Sequence, residues 1–379
     1  MHRPRLLAVA AAACCCAWWT GVVVAAAGNP QVAVTRLHNL PSKLFYFEDT
    51  TTVLLHDPVK STVSLSNDEG RSWSPVPNVP EGQAIRLIAH PFSKDLAFIL
   101  GSADSGGTHW ATYNRGASWQ SFKLPSGDDD DDDGKGKGRT RAPSLSSAEI
   151  LSFHAQEPSW ILFQQTVCEA TSHGGGWWDT GRKCWEETWY TLDAFRTPLK
   201  RLLAQTSACT FARSSNAFTA GEKAQVFCVA WDTANTPAGD GGGWHSLAES
   251  RLYTSSNWFA DGEKKYVDLG IGKRARGVVG FGVVSRYLVV ALKSLDNAYT
   301  AAAATAGKGT TNDPMHLYIS TDGATFQLAQ FPHAALPTLT ENAYTIVAGT
   351  THSLAIDILT DPAAGPGAGG GTGCCRKKQ

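Results

Sequence analysis

The chain has 379 residues, of which 42% are hydrophobic and 18% charged, and its formal net charge is −1 at pH 7. This near balance excludes a whole-molecule attraction to nucleic acid or to an anionic membrane, so no nucleic-acid partner is expected. The 13 Trp and 37 Gly are typical of short strands joined by tight turns. Sustained helical periodicity is scarce, and the sequence therefore predicts an all-β protein.

The amino terminus has the pattern of a secretory signal peptide. Two arginines precede residue 6, an uncharged apolar stretch follows, and three consecutive alanines end at Ala27. A basic segment, an apolar segment and small residues before a cleavage point make up such a signal. We predict a signal peptide over residues 1–27, which directs the chain to the lumen of the secretory pathway; an uncleaved membrane anchor is the alternative. After it, the sequence predicts no membrane span.

From Leu44 onward, short β-branched and aromatic runs alternate with turns. Three such runs lead to the turn NDEGRS, and Trp73 begins a fourth; the order repeats with three runs, the turn NRGAS and a fourth run that begins at Trp119. Four short strands in about 45 residues is the period of a propeller blade. The pattern predicts a partial β-propeller over residues 32–360, with room for five or six blades.

Two segments depart from this pattern. Residues 126–142 read SGDDDDDDGKGKGRTRA, and six consecutive Asp residues would repel one another in a sheet. We therefore predict a disordered loop insertion there; a calcium site is the alternative, although a flexible run offers no preset ligand geometry. Residues 361–379 are rich in Gly and Ala and are predicted to be a low-complexity tail. No metal or other cofactor is expected.

Four cysteines lie within the predicted propeller: Cys168, Cys184, Cys209 and Cys228. An even number in an oxidising compartment indicates two disulfides, for which three connectivities exist. No CxxC pair occurs among these four, and no His lies at ligand spacing from one, so a zinc site is not predicted. We expect Cys168–Cys184 and Cys209–Cys228, because each pair is close in sequence and falls within one hairpin-like unit.

The decisive repeat is the octapeptide S-x-D-x-G-x-[ST]-W, known as the Asp box. Its Asp side chain accepts hydrogen bonds from the backbone of its own turn, its Gly adopts left-handed geometry, and its Trp is buried between sheets. We therefore predict boxes between the third and fourth strands of blades, with Trp73 and Trp119 buried. The copies are Ser66, Asp68, Gly70 and Trp73; Thr112, Asn114, Gly116 and Trp119; and a shorter one with Ser320, Asp322, Gly323 and Phe326. Degenerate copies are proposed at residues 190–195 and 253–259.

Asp boxes are structural and do not settle function. They occur in sialidases, in some endoglucanases and in non-enzymatic receptors. The Arg-Ile-Pro segment and the arginine triad of a sialidase are not visible in this sequence. A secreted Asp-box glycoside hydrolase, which needs a pair of carboxylates across a cleft, is the alternative to a receptor.

Five segments resemble successive stretches of fungal vacuolar protein sorting receptors of the sortilin family: NLPSKLFYFEDT, EGQAIRLIAHPF, ETWYTLDAF, DLGIGKRARGVVGFG and ENAYTIVAGTTHSLAIDIL. The resemblance runs from about Val32 to Leu359. It implies a ten-bladed propeller that binds peptide-like cargo, in a non-enzymatic type I membrane receptor that cycles between late Golgi and endosome. The implied cargo is a soluble vacuolar hydrolase such as carboxypeptidase Y.

The resemblance also implies that a complete receptor continues beyond this sequence. Members of the family have further blades, a Cys-rich module, a membrane span and a cytosolic sorting tail. The sequence is therefore expected to be the amino-terminal part of such a receptor. No motif in it identifies the cargo-binding residues, which stay unknown at this point.

Overall fold

A computed structural model describes the chain at residues 34–102, 107–123, 139–143, 150–170, 182–231, 250–262, 264–272, 275–293, 315–329, 344–349 and 354–358. The chain divides into two compact units, Met1–Arg36 and Leu37–Gln379. The predicted signal peptide and the predicted tail lie outside the described residues. Within the described ranges, no helix is long and apolar enough to cross a membrane.

Every regular element in the described residues of the second unit is a β-strand. The strands are β1 (Lys43–Tyr46), β2 (Val53–Asp57), β3 (Thr62–Ser66), β4 (Ser74–Pro75), β5 (Ala84–Ala89), β6 (Ala97–Gly101), β7 (Thr108–Thr112), β8 (Gln120–Lys123), β9 (Arg139–Pro143), β10 (Leu151–Phe153), β11 (Ile161–Ala170), β12 (Arg182–Thr191), β13 (Lys200–Ala204), β14 (Thr206–Phe211), β15 (Val226–Trp231), β16 (Ser250–Ser255), β17 (Lys265–Tyr266), β18 (Val278–Val284), β19 (Tyr287–Lys293), β20 (Met315–Ser320), β21 (Gln327–Leu328), β22 (Tyr344–Gly349) and β23 (Leu354–Ile358).

The strands form consecutive antiparallel sheets in which each strand pairs with the next one of its sheet along the chain, except that β9 pairs with β11. We call these sheets blade 1 (β1–β4), blade 2 (β5–β8), blade 3 (β9–β13), blade 4 (β14–β17) and blade 5 (β18–β21); β22 and β23 form a further two-stranded ladder. Sheets built by sequential pairing with short turns are the units of a propeller. The predicted fold class, an all-β partial propeller, is thus confirmed, whereas the ten-blade circle remains a prediction.

Blade 3 carries an additional strand. Its middle strands β11 and β12 are ten residues long, and β10 covers only the first three residues of β11. Strand β9 pairs with the remainder of the same edge, from Gln165↔Pro143 to Glu169↔Arg139. Residues 139–142 of the predicted loop 126–142 belong to this strand, which corrects the end of the prediction, whereas residues 126–138 lie outside the described residues. Charge repulsion applies to the Asp run, but not to the RTRAP segment, which finds an open strand edge.

The hydrophobic core lies between successive blades rather than within one. Four buried clusters fill the interfaces, and their members include Leu54 and Ile99 for blades 1 and 2, and Phe98 and Phe163 for blades 2 and 3. The next two interfaces are filled by the clusters that contain Leu162 with Phe211 and Phe227 with Leu288. Because side chains alternate across a strand, each blade contributes one face to each neighbour.

One disulfide joins neighbouring strands of blade 4. Cys209 and Cys228 are directly opposite in the ladder of β14 and β15, with an S–S distance of 2.05 Å and a Cα–Cα distance of 4.1 Å. This predicted bridge is present as expected. In blade 3, Cys168 is disulfide-bonded and its Cα partner across β11 and β12 is Cys184. This register favours the second predicted pair, which stays a prediction.

Candidate functional site

The first Asp box forms the turn between β3 and β4. The Ser66 hydroxyl donates to Asp68 Oδ1 at 2.7 Å and accepts from the Gly70 amide at 2.8 Å. The Ser72 amide donates to Asp68 Oδ1 at 2.8 Å, and the Ser72 hydroxyl donates to Asp68 Oδ2 at 2.6 Å. The hydrogen bonds from Ser72 lower the pKa of Asp68 to about 2. The carboxylate therefore holds the turn by accepting from its own backbone, as the motif requires.

The second and third boxes have the same geometry. The Asn114 side-chain oxygen accepts from Thr112 Oγ1 at 3.1 Å and from the Ser118 amide at 2.9 Å. In the shorter copy, Asp322 Oδ1 accepts from the Thr325 amide at 2.7 Å and from the Ala324 amide at 2.8 Å, and these bonds lower the pKa of Asp322 to about 2. Asparagine and the one-residue deletion are thus compatible with the turn.

The degenerate copies close their turns in the same way. Thr191 donates to Asp193 at 2.8 Å in blade 3, and Ser255 donates to Asn257 at 2.8 Å in blade 4. Each of the five blades therefore has a hydroxyl-to-Asx hydrogen bond at this turn. The sequence signal is weak in blades 3 and 4 because the glycine is replaced by Phe195 and Phe259.

Phenylalanine at the glycine position is tolerated because the ring packs onto the preceding blade. Phe195 has a φ of 70°, a left-handed conformation that L-residues rarely adopt. Its ring lies 5.5 Å from that of Phe98 and 4.3 Å from that of Phe122, both in blade 2. Burial of the ring against these partners offsets the backbone strain.

The boxes of the later blades dock onto the blade before them, as the glycines of blades 2 and 5 show. A Cβ atom added at Gly116 would lie 3.2 Å from the ring of Phe47 in blade 1. A Cβ atom at Gly323 would lie 3.1 Å from the ring of Phe227 in blade 4. Close backbone approach thus requires glycine at these two positions, in addition to their positive φ.

The two box tryptophans differ in burial because only one of them has a preceding blade to pack against. Trp119 is 5% exposed and lies in the cluster between blades 1 and 2. Trp73 occupies the matching position of blade 1, but it is only half-buried. The prediction that Trp73 is buried is therefore wrong. Among the described residues no blade precedes blade 1, and the Trp73 ring lies against Gly70 of its own turn.

Two buried histidines link successive blades at the ends of first strands. His90 accepts from the Phe92 amide at Nδ1, and its Nε2 lies 3.0 Å from the Pro158 carbonyl of blade 3. His154 accepts from the Glu157 amide at Nδ1, and its Nε2 lies 3.0 Å from the Lys223 carbonyl of blade 4. Both arrangements need a neutral ring with its proton on Nε2.

Burial lowers the pKa of His90 to about 4 and lowers that of His154. Both rings are therefore neutral at pH 7 and can keep these two contacts. Sequence reasoning did not find this feature, because the carbonyl partners lie 68 and 69 residues further along the chain.

The concave wall formed by β5, β10, β14 and β18 is the candidate binding site. These strands, each the first in the four-strand order of its sheet, belong to four consecutive blades and line one cavity of about 690 Å³. Because the four strands converge on this cavity, they are the innermost strands of their blades. Ser152 and Thr210 join two of them through a buried hydroxyl pair 3.0 Å apart.

The wall combines apolar and neutral polar groups with one cation. Ile88, Phe153 and Phe281 supply apolar surface, whereas Arg86 is the one charged residue among the described residues that line the cavity. Arg86 is exposed to solvent. A site of this composition suits an apolar ligand segment that carries an anionic group, because the guanidinium can bind a carboxylate with two hydrogen bonds.

Comparison with known proteins assigns the family. The family model Sortilin-Vps10, described as "Sortilin, neurotensin receptor 3", matches residues 61–368, which is most of the chain. The chain belongs to the sortilin family. This sortilin-family chain is 39% identical over 334 residues to "Vacuolar protein sorting/targeting protein 10" of Laccaria bicolor, and 34% identical over 342 residues to the protein of the same name in Mycosarcoma maydis.

The sortilin-family chain spans only about one fifth of these relatives. The match covers 87% of the chain but 20% of the Laccaria bicolor protein, and 88% of the chain but 20% of the Mycosarcoma maydis protein. Among solved structures, the chain is similar to an ancestral GH74 enzyme with a TM-score of 0.38 at 9% identity, covering 86% of this chain and 39% of that one. A likeness of that size carries no argument about activity.

Proposed function

We propose that this chain is the amino-terminal part of the cargo-binding propeller of a vacuolar sorting receptor and acts in the lumen of the secretory pathway. The observation that carries the proposal is the sequence identity with proteins named for vacuolar protein sorting and targeting. The cargo is a protein or peptide segment, such as that of a soluble hydrolase of the carboxypeptidase Y type. The chain has no catalytic role in this proposal.

The inner wall is the surface that we assign to cargo. An extended peptide fits a concave wall of strands, because its side chains can enter apolar pockets while its backbone lies along strand edges. The proposed contacts are Ile88 and Phe281, which are half-buried, with apolar cargo side chains, and Arg86 with a cargo carboxylate. Truncation of an arginine anchor at an interface typically costs more than about 1 kcal/mol, which is roughly a fivefold loss of affinity.

The test uses a chimera in which residues 37–358 replace the matching segment of the Laccaria bicolor relative. We expect it to retain a carboxypeptidase Y type hydrolase in the vacuolar route and to bind the propeptide of that hydrolase. The R86A variant should lose roughly fivefold or more in propeptide affinity. The R71A variant, which removes an exposed arginine of the first box turn, should bind like the parent.

Three results would count against the proposal. If cells that carry the chimera secreted the hydrolase, and the chimera did not bind the propeptide in vitro, the proposed receptor function would be refuted. Equal propeptide affinity of the R86A and R71A variants would refute the assignment of the inner wall as the cargo site, but not the proposed receptor function. Turnover of a sialoside or β-glucan by the chain, abolished by one carboxylate substitution, would favour the glycoside hydrolase alternative.

A further inference from the structure

The interface between blades 2 and 3 contains polar side chains in the middle of an apolar cluster. Phe122 and Phe163 are core members of this cluster, and His109 packs on both, with ring centroids 5.3 and 5.9 Å away. His109 and Gln165 are each 0% exposed. Because polar groups are rarely buried without hydrogen-bond partners, each of the two side chains requires an explanation.

His109 presents a buried donor into this interface. Its Nδ1 accepts from the Gly101 amide at 2.9 Å, which fixes the proton of the neutral ring on Nε2. Nε2 is buried and has no hydrogen-bond partner in the described part of the chain. Burial lowers the pKa of His109 to about 4, so the ring stays neutral at pH 7.

Gln165 presents an amide to the same interface. It follows Phe163 by two residues on β11, and residues two apart on a strand lie on the same face. Neither its Oε1 nor its Nε2 has a hydrogen-bond partner within the described ranges. Glu187, which is 3% exposed, is its Cα partner on β12 and therefore shares this face.

The neighbouring residue shows how the protein satisfies the same side chain elsewhere. Gln164 faces blade 4, and its Nε2 donates to Glu186 of its own blade at 2.7 Å and to the Ser207 carbonyl of blade 4 at 2.6 Å. Within the described residues, the fold therefore supplies protein partners to one glutamine of this pair and not to the other. An unsatisfied buried group costs about 1–3 kcal/mol, and three such atoms at one interface make a bridging molecule favourable.

We propose that the interface of blades 2 and 3 is an internal hydration site, in which an ordered water molecule bridges His109 and Gln165. The water accepts from His109 Nε2 and donates to Gln165 Oε1, and the Glu187 carboxylate provides a second acceptor. A buried water of this kind makes about three hydrogen bonds to otherwise unsatisfied groups. The site takes water because its groups are both donors and acceptors and lie within an apolar cluster.

The test counts long-lived water molecules by oxygen-17 magnetic relaxation dispersion in the purified full chain. The Q165L variant should lose about one such molecule, because its side chain has no acceptor. The Q164L variant is the matched control, with the same substitution on the same strand but the opposite face, and should keep the count. A double-mutant cycle of H109F and Q165L should show that the two side chains are coupled.

In this cycle each single variant should raise the unfolding equilibrium constant roughly tenfold, and the double variant by much less than the hundredfold product. Q164L should show no coupling with H109F. Single variants that lower the unfolding constant, with an unchanged water count, would show a dry interface and overturn the proposal. Coupling without loss of a water molecule would show direct contact and overturn it as well. If the variants do not fold, electron density for a water bonded to His109 Nε2 in the parent chain decides the question.

Discussion

The two box tryptophans offer a direct test of how the blades are held together. We expect the W119A variant to be much less stable than the W73A variant, although both residues occupy the last position of an Asp box. Trp119 is 5% exposed and packs between blades 1 and 2, whereas Trp73 is half-buried. Neither indole Nε1 has a hydrogen-bond partner in the described part of the chain, so ring packing alone decides the loss.

The magnitude follows from burial. Removing a fully buried Trp ring costs about 3–5 kcal/mol, which we expect for W119A. Because the hydrophobic contribution scales with the area removed from water, W73A should cost measurably less than W119A. Urea unfolding of the chain followed by far-ultraviolet circular dichroism gives both free energies without depending on Trp fluorescence.

A third variant tests whether an aromatic ring of smaller size can fill the same interface. W119F keeps an aromatic ring in the interface and should recover a large part of the loss of W119A. Equal losses for W119A and W73A would refute the reasoning, because they would mean that docking on the preceding blade contributes nothing. A larger loss for W73A would refute it as well.

Three further predictions concern a disulfide, two histidines and a glycine. Replacing the Cys209–Cys228 disulfide by two serines should lower the free energy of unfolding by about 3 kcal/mol in denaturant titrations, because the bridge closes a loop of moderate length in the unfolded chain; an unchanged midpoint would contradict this. Burial lowers the pKa of His90 and His109 from 6.5 to about 4, so the unfolded state binds their protons more readily. Stability should therefore fall as the pH drops from 6.5 to 4, by up to about 1.4 kcal/mol per pH unit for each histidine, and H90Q with H109Q should flatten this slope in unfolding curves. G116A should destabilise by about 1–3 kcal/mol because its Cβ meets a packed ring, whereas G262A, which has positive φ but nothing within 4 Å of its Cβ, should cost less in the same assay.

Features that depend on short stretches of sequence could be predicted well. The turn at Asp68 is built from residues within four positions of one another, so the octapeptide contains all of its partners. The Cys209–Cys228 bridge was also accessible, because its cysteines lie on two strands that follow each other in the chain. The all-β class followed from the same local signals of strand and turn.

Features that depend on neighbouring blades could not be predicted from such stretches. The extent to which Trp73 is buried depends on a partner surface and not on its box. Phe195 replaces a glycine and hides the box of blade 3, although its ring fills the interface with blade 2. The edge that pairs with β9 exists only because β10 is short, and no periodicity in the segment itself indicates this.

The face of blade 1 that points away from blade 2, which no described blade covers, extends the tryptophan argument to longer relatives. Leu44 and Tyr46 of β1 are 47% and 52% exposed, whereas Phe45 between them packs on the cluster shared with blade 2. Alternation along the strand therefore places Leu44 and Tyr46 on the side of blade 1 that faces away from blade 2. This is the side on which every later blade docks its box.

The match with this chain covers only 20% of the length of these relatives, which are therefore much longer than the chain. In a longer receptor that supplies a blade on this side, the ring of Trp73 gains the environment that Trp119 already has. The cost of W73A should then rise to the 3–5 kcal/mol expected for a buried ring, and amide exchange in β1 should slow. Denaturant titration of W73A in the chimera with the Laccaria bicolor relative measures this rise. If W73A lowers the free energy of unfolding by the same amount in the chimera as in the short chain, no blade covers this face. Packing of the box against a preceding blade, which the later blades show, would then not apply to blade 1.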